Sequence, residues 1–258
     1  TIRLLTQLET PYPTFDGLNL TWETLEGLAK HNGPIASPGW ALAEADAAFL
    51  LDVETWPSLE AQIAAIPDDI AYDNHDIDDG LRAGLFTLDE LLAVPLIGRG
   101  WQAVRDRYPD VEEQRLIPEL VRDQIGRMVN DVLEETCRRI VDTGVGHPDD
   151  VRRAGQPLAG FSADMAREER ALKTFLYQRM YRSHPVKAVA DEAERVLSRL
   201  FEAYRADICL LPPQWQPAAS EPVPTLRAIG DFIAGMTGRF PIRQYRELVG
   251  PVELPEGF

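Results

Sequence analysis

Apolar residues recur along most of the chain at intervals of three and four positions, which is the period of an amphipathic α-helix. This pattern predicts short helices at residues 88–92 and 97–107, a long one at 111–141, and a helical stretch at 162–204 that is broken near residues 183–185. Alternation of the strand type is negligible, so the pattern predicts an all-α protein. In the long helix the apolar positions are Leu116, Leu120, Ile125, Met128, Val132 and Ile140.

Capping and breaking residues mark two further helices nearer the amino terminus. Thr21 is a favourable N-cap for a helix that the sequence Asn32-Gly33-Pro34 ends. Ser58 is the corresponding N-cap of a strongly acidic helix, which we expect to run to Gly80 or Gly84.

The other stretches have weaker signals. Residues 1–8 follow a helical pattern, whereas residues 33–46 are predicted to be a loop because two prolines and two glycines lie close together at the start of this stretch. Residues 211–224 are rich in proline and are predicted to be a connector. Residues 225–248 are then predicted to form the last one or two helices.

The acidic helix carries the most informative side chains of the chain. Asp68, Tyr72 and Asp76 follow one another at four-residue intervals, which places them along one face of a helix. Carboxylates are hard oxygen ligands for divalent cations, and a tyrosine between them can pack against a sugar and donate a hydrogen bond. That face could bind a metal and a polyol together, although charge runs are usually solvated helix faces. Pro67 lies one residue before Asp68, and we expect it to interrupt and bend the helix.

Composition narrows the classes of function. The 258 residues include 26 Lys and Arg against 42 Asp and Glu, a formal charge of −16, which disfavours broad contact with nucleic acid or a membrane surface. No apolar run approaches the ~20 residues of a membrane span and the start does not resemble a signal peptide, so we predict a cytoplasmic protein. Cys137 and Cys209 lack metal-type spacing and are predicted to be free, buried thiols.

Several ordered motifs resemble one known family. The sequences SLEAQ (58–62), DDIAY (68–72) and HDIDDGLRAG (75–84) resemble the signature of the HD-domain deoxynucleoside triphosphate triphosphohydrolases, the deoxyguanosinetriphosphate triphosphohydrolase family. Residues 16–34 and 232–239 resemble two further blocks of that family. The resemblance implies an all-α, HD-domain-type helical bundle with a C-terminal helical extension.

The resemblance also implies an organisation for the chain. Residues 1–110 would be the C-terminal part of the catalytic core, and residues 111–258 a helical C-terminal region. The upstream part of the core, with the family's other metal ligands and its catalytic histidine, would precede Thr1. We therefore expect this chain to be part of a longer enzyme and inactive by itself, and we assign it no catalytic residue.

Four residues match positions with a role in the family. Asp68 matches a ligand of a divalent metal, for which Mg, Mn, Co and Fe all remain open. Tyr72 and Asp76 match contacts to the deoxyribose, and Lys30 matches a lysine that approaches the polyphosphate. A cation near a helix C-terminus is also favoured by the helix dipole, which is the simpler interpretation of Lys30. His75 is predicted to be solvated or to lie behind the ligands, since the family's metal-binding His-Asp pair lies upstream.

The implied reaction is the metal-dependent hydrolysis of a dNTP, as with dGTP, to a deoxynucleoside and tripolyphosphate by a homo-oligomer. Two alternatives stay open. One is a catalytically silent, nucleotide-binding regulatory or interaction protein of the same fold. The other is an HD hydrolase for a different phosphorylated nucleotide, against which Tyr72 and Asp76 argue.

Overall fold

The computed structural model describes residues 1–216 and 222–252, and these contain helices and no strand. The all-α prediction is confirmed. The chain divides into two compact units, Thr1–Tyr181 and Arg182–Phe258, which we describe separately. The predicted boundary at residue 110 concerns the extent of the catalytic core, and it stays a prediction.

The first unit is built on two long helices, α3 and α6. Helix α3 packs against α6, α8 and α1, while α5 packs against α6 and α4. π-Helical turns occupy Leu4–Leu8 and Tyr177–Tyr181. The α-helices are α1 (Trp22–Ala29), α2 (Trp40–Phe49), α3 (Leu59–Arg82), α4 (Leu88–Leu92), α5 (Pro95–Arg107), α6 (Glu113–Thr143), α7 (Pro148–Arg152) and α8 (Ala163–Leu176).

The predicted caps hold these helices in place. The Thr24 backbone N–H donates to the Thr21 hydroxyl at 3.4 Å, and the Ala61 N–H donates to the Ser58 hydroxyl at 3.3 Å. Each bond satisfies a backbone donor that the first turn of a helix leaves free. The main apolar core then joins α3, α4, α5, α6 and α8 through Ile77, Leu91, Ile97, Leu120, Leu172 and Leu176, among others.

The structure corrects several expectations for this unit. Residues 33–46 are not all loop, because α2 begins at Trp40 in an alanine-rich sequence of high helix propensity. Pro67 does not interrupt the acidic helix, since α3 continues on both sides of it. Helix α7 was not predicted, although Pro148 suits the first turn of a helix.

The second unit packs α9 (His184–Ala206) against α10 (Pro222–Ala234) and α11 (Phe240–Leu248). Its core is rich in aromatic residues, with Tyr204, Phe232 and Tyr245 buried. The predicted break near residues 183–185 is confirmed, because α9 begins there. Residues 217–221 of the predicted connector lie outside the described residues.

Two further observations concern the surface. Both cysteines, Cys137 and Cys209, are free but exposed, so the prediction of buried thiols is wrong: their positions on α6 and on a short 3₁₀ turn face outward. Within the described part of the chain, no helix combines the length and the apolar character needed to cross a membrane.

Candidate functional site

Helix α3 presents the predicted residues along one side. Asp68 is exposed, the Tyr72 side chain is 62% exposed, and Asp76 is half-buried. Ile70 and Ile77 on the same helix are buried in the core, which fixes the rotation of α3 about its axis. All three residues therefore lie on one side of α3, as their spacing predicts, and their roles in a site stay predictions.

A second element faces this side of α3. Lys173, Tyr177 and Tyr181 also follow one another at four-residue intervals, with Lys173 in α8 and the two tyrosines in the π-helical turn Tyr177–Tyr181. A π-helical turn changes the angular position of the residues in it and after it, and such turns are frequent at functional sites. The two elements enclose an open cavity of about 600 Å³, which we call the α3–α8 cavity. Its lining includes Asp69, Tyr72, Asp73, Lys173, Tyr177 and Tyr181.

A hydrogen bond joins the two sides of the cavity at one end. The Tyr181 hydroxyl donates to a carboxylate oxygen of Asp76. Burial, together with this bond to a carboxylate, raises the pKa of Tyr181 to about 12. The phenol therefore stays protonated at neutral pH and holds one oxygen of Asp76 in a fixed position.

An ion-pair cluster joins the two sides at the other end. The Lys173 ammonium lies 3.1 Å from an Asp69 oxygen and 2.5 Å from a Glu169 oxygen. Burial acts to lower the pKa of Lys173, but hydrogen bonds to these two carboxylates outweigh it, and the net direction is upward. The lysine is therefore charged at every physiological pH.

Asp73 lies between these two ends and is 4% exposed. Its Oδ2 atom is buried without a hydrogen-bond partner among the described residues. Burial raises the pKa of the Asp73 carboxyl to about 7; Lys173 acts against the rise, and Glu169 and Asp69 add to it. At neutral pH this carboxyl is thus divided between its charged and uncharged forms.

Lys30 does not line the α3–α8 cavity. Its ammonium is fully buried, 3.1 Å from Glu26 Oε1 and 2.8 Å from Thr55 Oγ1. Glu26 also receives two hydrogen bonds from Arg152, at 2.7 and 3.0 Å. The predicted contact of Lys30 with a polyphosphate stays a prediction, and in this arrangement it would require the ammonium to move away from Glu26 and Thr55.

The described residues do not assemble a metal centre by themselves. Nowhere in residues 1–216 and 222–252 do three His, Cys, Asp or Glu side chains come together in a way that could hold a metal ion. Asp68 offers a single exposed carboxylate, and His75 is exposed.

Sequence reasoning missed the residues of α8 and of the turn that follows it. The signal was present: Lys173, Tyr177 and Tyr181 have the same four-residue spacing as Asp68, Tyr72 and Asp76. What the sequence did not contain was the pairing of these two faces, because Tyr181 and Asp76 lie 105 positions apart.

The chain is similar to known proteins along almost its whole length. A family model described as a phosphohydrolase-associated domain matches residues 159–247. A protein of Parvibaculum lavamentivorans is 46% identical over 257 residues, covering 96% of this chain and 65% of the relative. A protein of Caulobacter sp. (strain K31) is 48% identical over 255 residues, and one of Bradyrhizobium sp. (strain ORS 278) 47% over 249, covering 96% of this chain and 65% and 64% of those relatives. All three are named deoxyguanosinetriphosphate triphosphohydrolase-like protein.

These matches confirm the predicted resemblance to the deoxyguanosinetriphosphate triphosphohydrolase-like proteins. The chain spans slightly less than two thirds of the length of these curated relatives. The phosphohydrolase-associated match includes Lys173, Tyr177 and Tyr181, which form one side of the α3–α8 cavity. Helix α3, which forms the other side, lies outside that match. In this triphosphohydrolase-like chain the cavity is thus built from two regions of the sequence, of which only one falls within the matched domain.

Proposed function

We propose that this chain carries the nucleotide-binding side of a metal-dependent hydrolase that splits a dNTP, such as dGTP, into a deoxynucleoside and tripolyphosphate. The names of its relatives support the class of substrate. The observation that carries the proposal is the α3–α8 cavity, whose lining includes Tyr72, Lys173 and Tyr181. The Tyr181 hydroxyl is bonded to Asp76.

The end with Tyr72 and Asp76 suits a sugar. The exposed ring of Tyr72 offers an apolar face and a phenol, and Asp76 offers a carboxylate that can accept a hydrogen bond from a hydroxyl. Because Tyr181 fixes one oxygen of Asp76, the other oxygen has a defined direction. In our proposal this end holds the deoxyribose.

The end with Lys173 suits a polyphosphate. Lys173 and Arg170 are the cations that line the cavity, and both belong to α8. Ammonium and guanidinium groups donate strong, charge-assisted hydrogen bonds to phosphate oxygens. In our proposal these side chains meet the triphosphate of the bound nucleotide.

The reaction also needs a divalent cation in our proposal, and Asp68 would be one of its ligands. A carboxylate oxygen suits Mg, Mn, Co and Fe alike. The described residues do not bring two more donors to Asp68, so the remaining ligands would come from elsewhere in the enzyme, and we derive no chemical step through the metal.

The homo-oligomer also stays a prediction. Val129, Leu133 and Val141 lie along α6 at spacings of four and eight residues, and all three are exposed. An apolar stripe of this kind is the surface that subunit contacts in an oligomer would bury.

Product analysis tests the proposal. The full-length protein, mixed with the four dNTPs and Mn²⁺ or Mg²⁺, should release tripolyphosphate and a deoxynucleoside. Nucleotides that stay intact although metal is bound would instead support the silent regulatory protein.

Two substitutions then test the residues. Asp68→Ala should abolish metal binding at the site, whereas Tyr72→Ala should raise the KM more than it changes metal affinity. Asp79→Ala, an exposed carboxylate on the same helix, is the matched control. Equal metal binding by the wild type and the Asp68 variant would contradict the ligand assignment.

A further inference from the structure

Asp73 is the most unusual carboxyl group of the α3–α8 cavity. It is almost fully buried, it lines the cavity, and its Oδ2 atom lacks a hydrogen-bond partner among the described residues. A buried polar atom without a partner is costly, and native proteins contain few of them. The position is better explained if a proton or a ligand completes it during function.

The groups around Asp73 contain more negative than positive charge. The Lys173 ammonium already bonds Asp69 and Glu169, so it neutralises Asp73 only in part. The charged and titratable groups that line the cavity or act electrostatically on Asp73 are Asp69, Tyr72 and Asp76 on α3, Glu169, Arg170 and Lys173 on α8, and Tyr177 and Tyr181 on the turn.

A triphosphate at Lys173 would increase this imbalance. The ligand brings three or more negative charges into a partly buried site, where charges interact more strongly than in water. The Lys173 ammonium cannot fully satisfy the phosphate oxygens while three carboxylates compete for it. The carboxyl that is already closest to neutrality, Asp73, is the group that gives up its charge most easily.

We propose that Asp73 takes up one proton when the triphosphate binds, and that it thereby positions Lys173 by freeing its charge for the phosphate. The proton comes from solvent and forms an O–H bond on the carboxylate of Asp73, and no other bond changes. Asp73 is thus a positioning residue, which acts through Lys173. This inference rests on the proposed function, because it takes a nucleotide triphosphate as the ligand.

Calorimetry with inorganic tripolyphosphate as the probe tests the proton uptake directly. The Mn²⁺-loaded protein is titrated at pH 7.0 in two buffers of different ionisation enthalpy. Since Asp73 has a pKa of about 7, the wild type should take up about half a proton more than Asp73→Asn. Asp79→Asn, on the exposed part of the same helix, should behave like the wild type.

The pH dependence of turnover gives a second readout that a purely structural role would not move. In the wild type the KM for dGTP should rise towards tenfold per pH unit above pH 7, while kcat changes by less than about twofold. In Asp73→Asn the KM should be flat over the same range, because the amide is uncharged at every pH.

The outcomes separate this inference from the proposed function. Equal proton uptake by the wild type and Asp73→Asn, or equal pH profiles of KM, would overturn the role of Asp73 while tripolyphosphate release continued. Absence of both tripolyphosphate release and nucleotide binding would overturn the proposed function and this inference together.

Discussion

The first unit contains two clusters of charged side chains that differ in how completely their charges are paired. In the Glu26 cluster, Lys30 and Arg152 both bond the buried Glu26, Thr55 bonds Lys30, and Asp149 lies 3.3 Å from Arg152. Burial acts to raise the pKa of Glu26, but the hydrogen bonds from Arg152 and Lys30 outweigh it and hold that pKa below its ordinary value.

The Lys173 cluster has the opposite balance. The Lys173 ammonium forms ion pairs with Asp69 and Glu169 and acts electrostatically on Asp73. The pKa of Asp73 is raised, and its Oδ2 atom has no hydrogen-bond partner among the described residues. The Lys173 cluster also borders the α3–α8 cavity, whereas the Glu26 and Lys30 side chains are completely buried.

The two clusters therefore differ in the role that their charges suit. The fully buried Glu26 carboxylate, which receives hydrogen bonds from both Lys30 and Arg152, joins α1 to α7 and stabilises the fold. A cluster with a deficit of positive charge beside a cavity is completed only when a ligand or a proton arrives. By this criterion the Lys173 cluster, rather than Lys30, is the better candidate for contact with substrate.

The largest loss of stability is expected from a substitution in the Glu26 cluster. Glu26→Gln removes the negative charge that neutralises the buried Lys30. The same charge provides most of the neutralisation of Arg152. We expect the substitution to destabilise the protein by ~3 to 5 kcal/mol, the usual result of leaving a buried charge without its partner. Urea denaturation of the variant and of Glu23→Gln, an exposed residue on the same helix, measures this. A loss below ~1 kcal/mol would show that the buried pairing matters little.

In the Lys173 cluster, by contrast, we expect a substitution of Asp73 to stabilise the protein. The folded-state pKa of Asp73 lies above its ordinary value of 3.8, so folding carries no penalty below that value and an increasing one as the pH rises towards 7. Asp73→Asn removes the penalty and should stabilise the protein by ~2 to 4 kcal/mol at pH 8, and by less than half of that at pH 5. Thermal denaturation at both pH values measures the gain, and a gain that did not grow with pH would contradict the raised pKa.

Removing the Lys173 ammonium should have a smaller effect, and it should act on substrate affinity. Lys173→Met keeps the length of the side chain but removes the charge, so the KM for a dNTP should rise about ten- to a hundredfold, or ~1.4 to 2.7 kcal/mol. Steady-state kinetics measures this. Arg167→Met, an exposed cation on the same helix, is the matched control, and equal KM values for the two variants would remove Lys173 from the site.

The sequence predicted the helices and the residues that share a helix face, but not the contacts between helices. The face formed by Asp68, Tyr72 and Asp76 could be predicted from the sequence, because one helix with a clear N-cap and a regular period contains all three residues. The all-α fold and most helix boundaries were readable for the same reason. Pairing between helices was not, because it depends on contacts such as that of Tyr181 with Asp76, 105 positions away.

Lys30 shows how a correct local pattern leaves the environment undetermined. Glu26 and Lys30 lie four residues apart on one helix, so their ion pair could be expected from the sequence. The pattern did not predict that Arg152 bonds Glu26, because Arg152 is 126 positions away and belongs to a short helix that was not predicted.

The Tyr181 hydroxyl should contribute less to substrate affinity than the Lys173 ammonium. Tyr181→Phe removes one hydroxyl from the α3–α8 cavity, so Asp76 loses a single donor near solvent, and the KM for a dNTP should rise about three- to tenfold. A double-mutant cycle with Asp76→Asn should give a coupling of ~1 kcal/mol. The cycle for Glu26 and Arg152, measured on stability, should exceed ~2 kcal/mol because Glu26 is fully buried and receives two hydrogen bonds from Arg152. Coupling of equal size in both pairs would contradict the expectation that the buried Glu26 carboxylate is bonded more strongly than the half-buried Asp76 carboxylate.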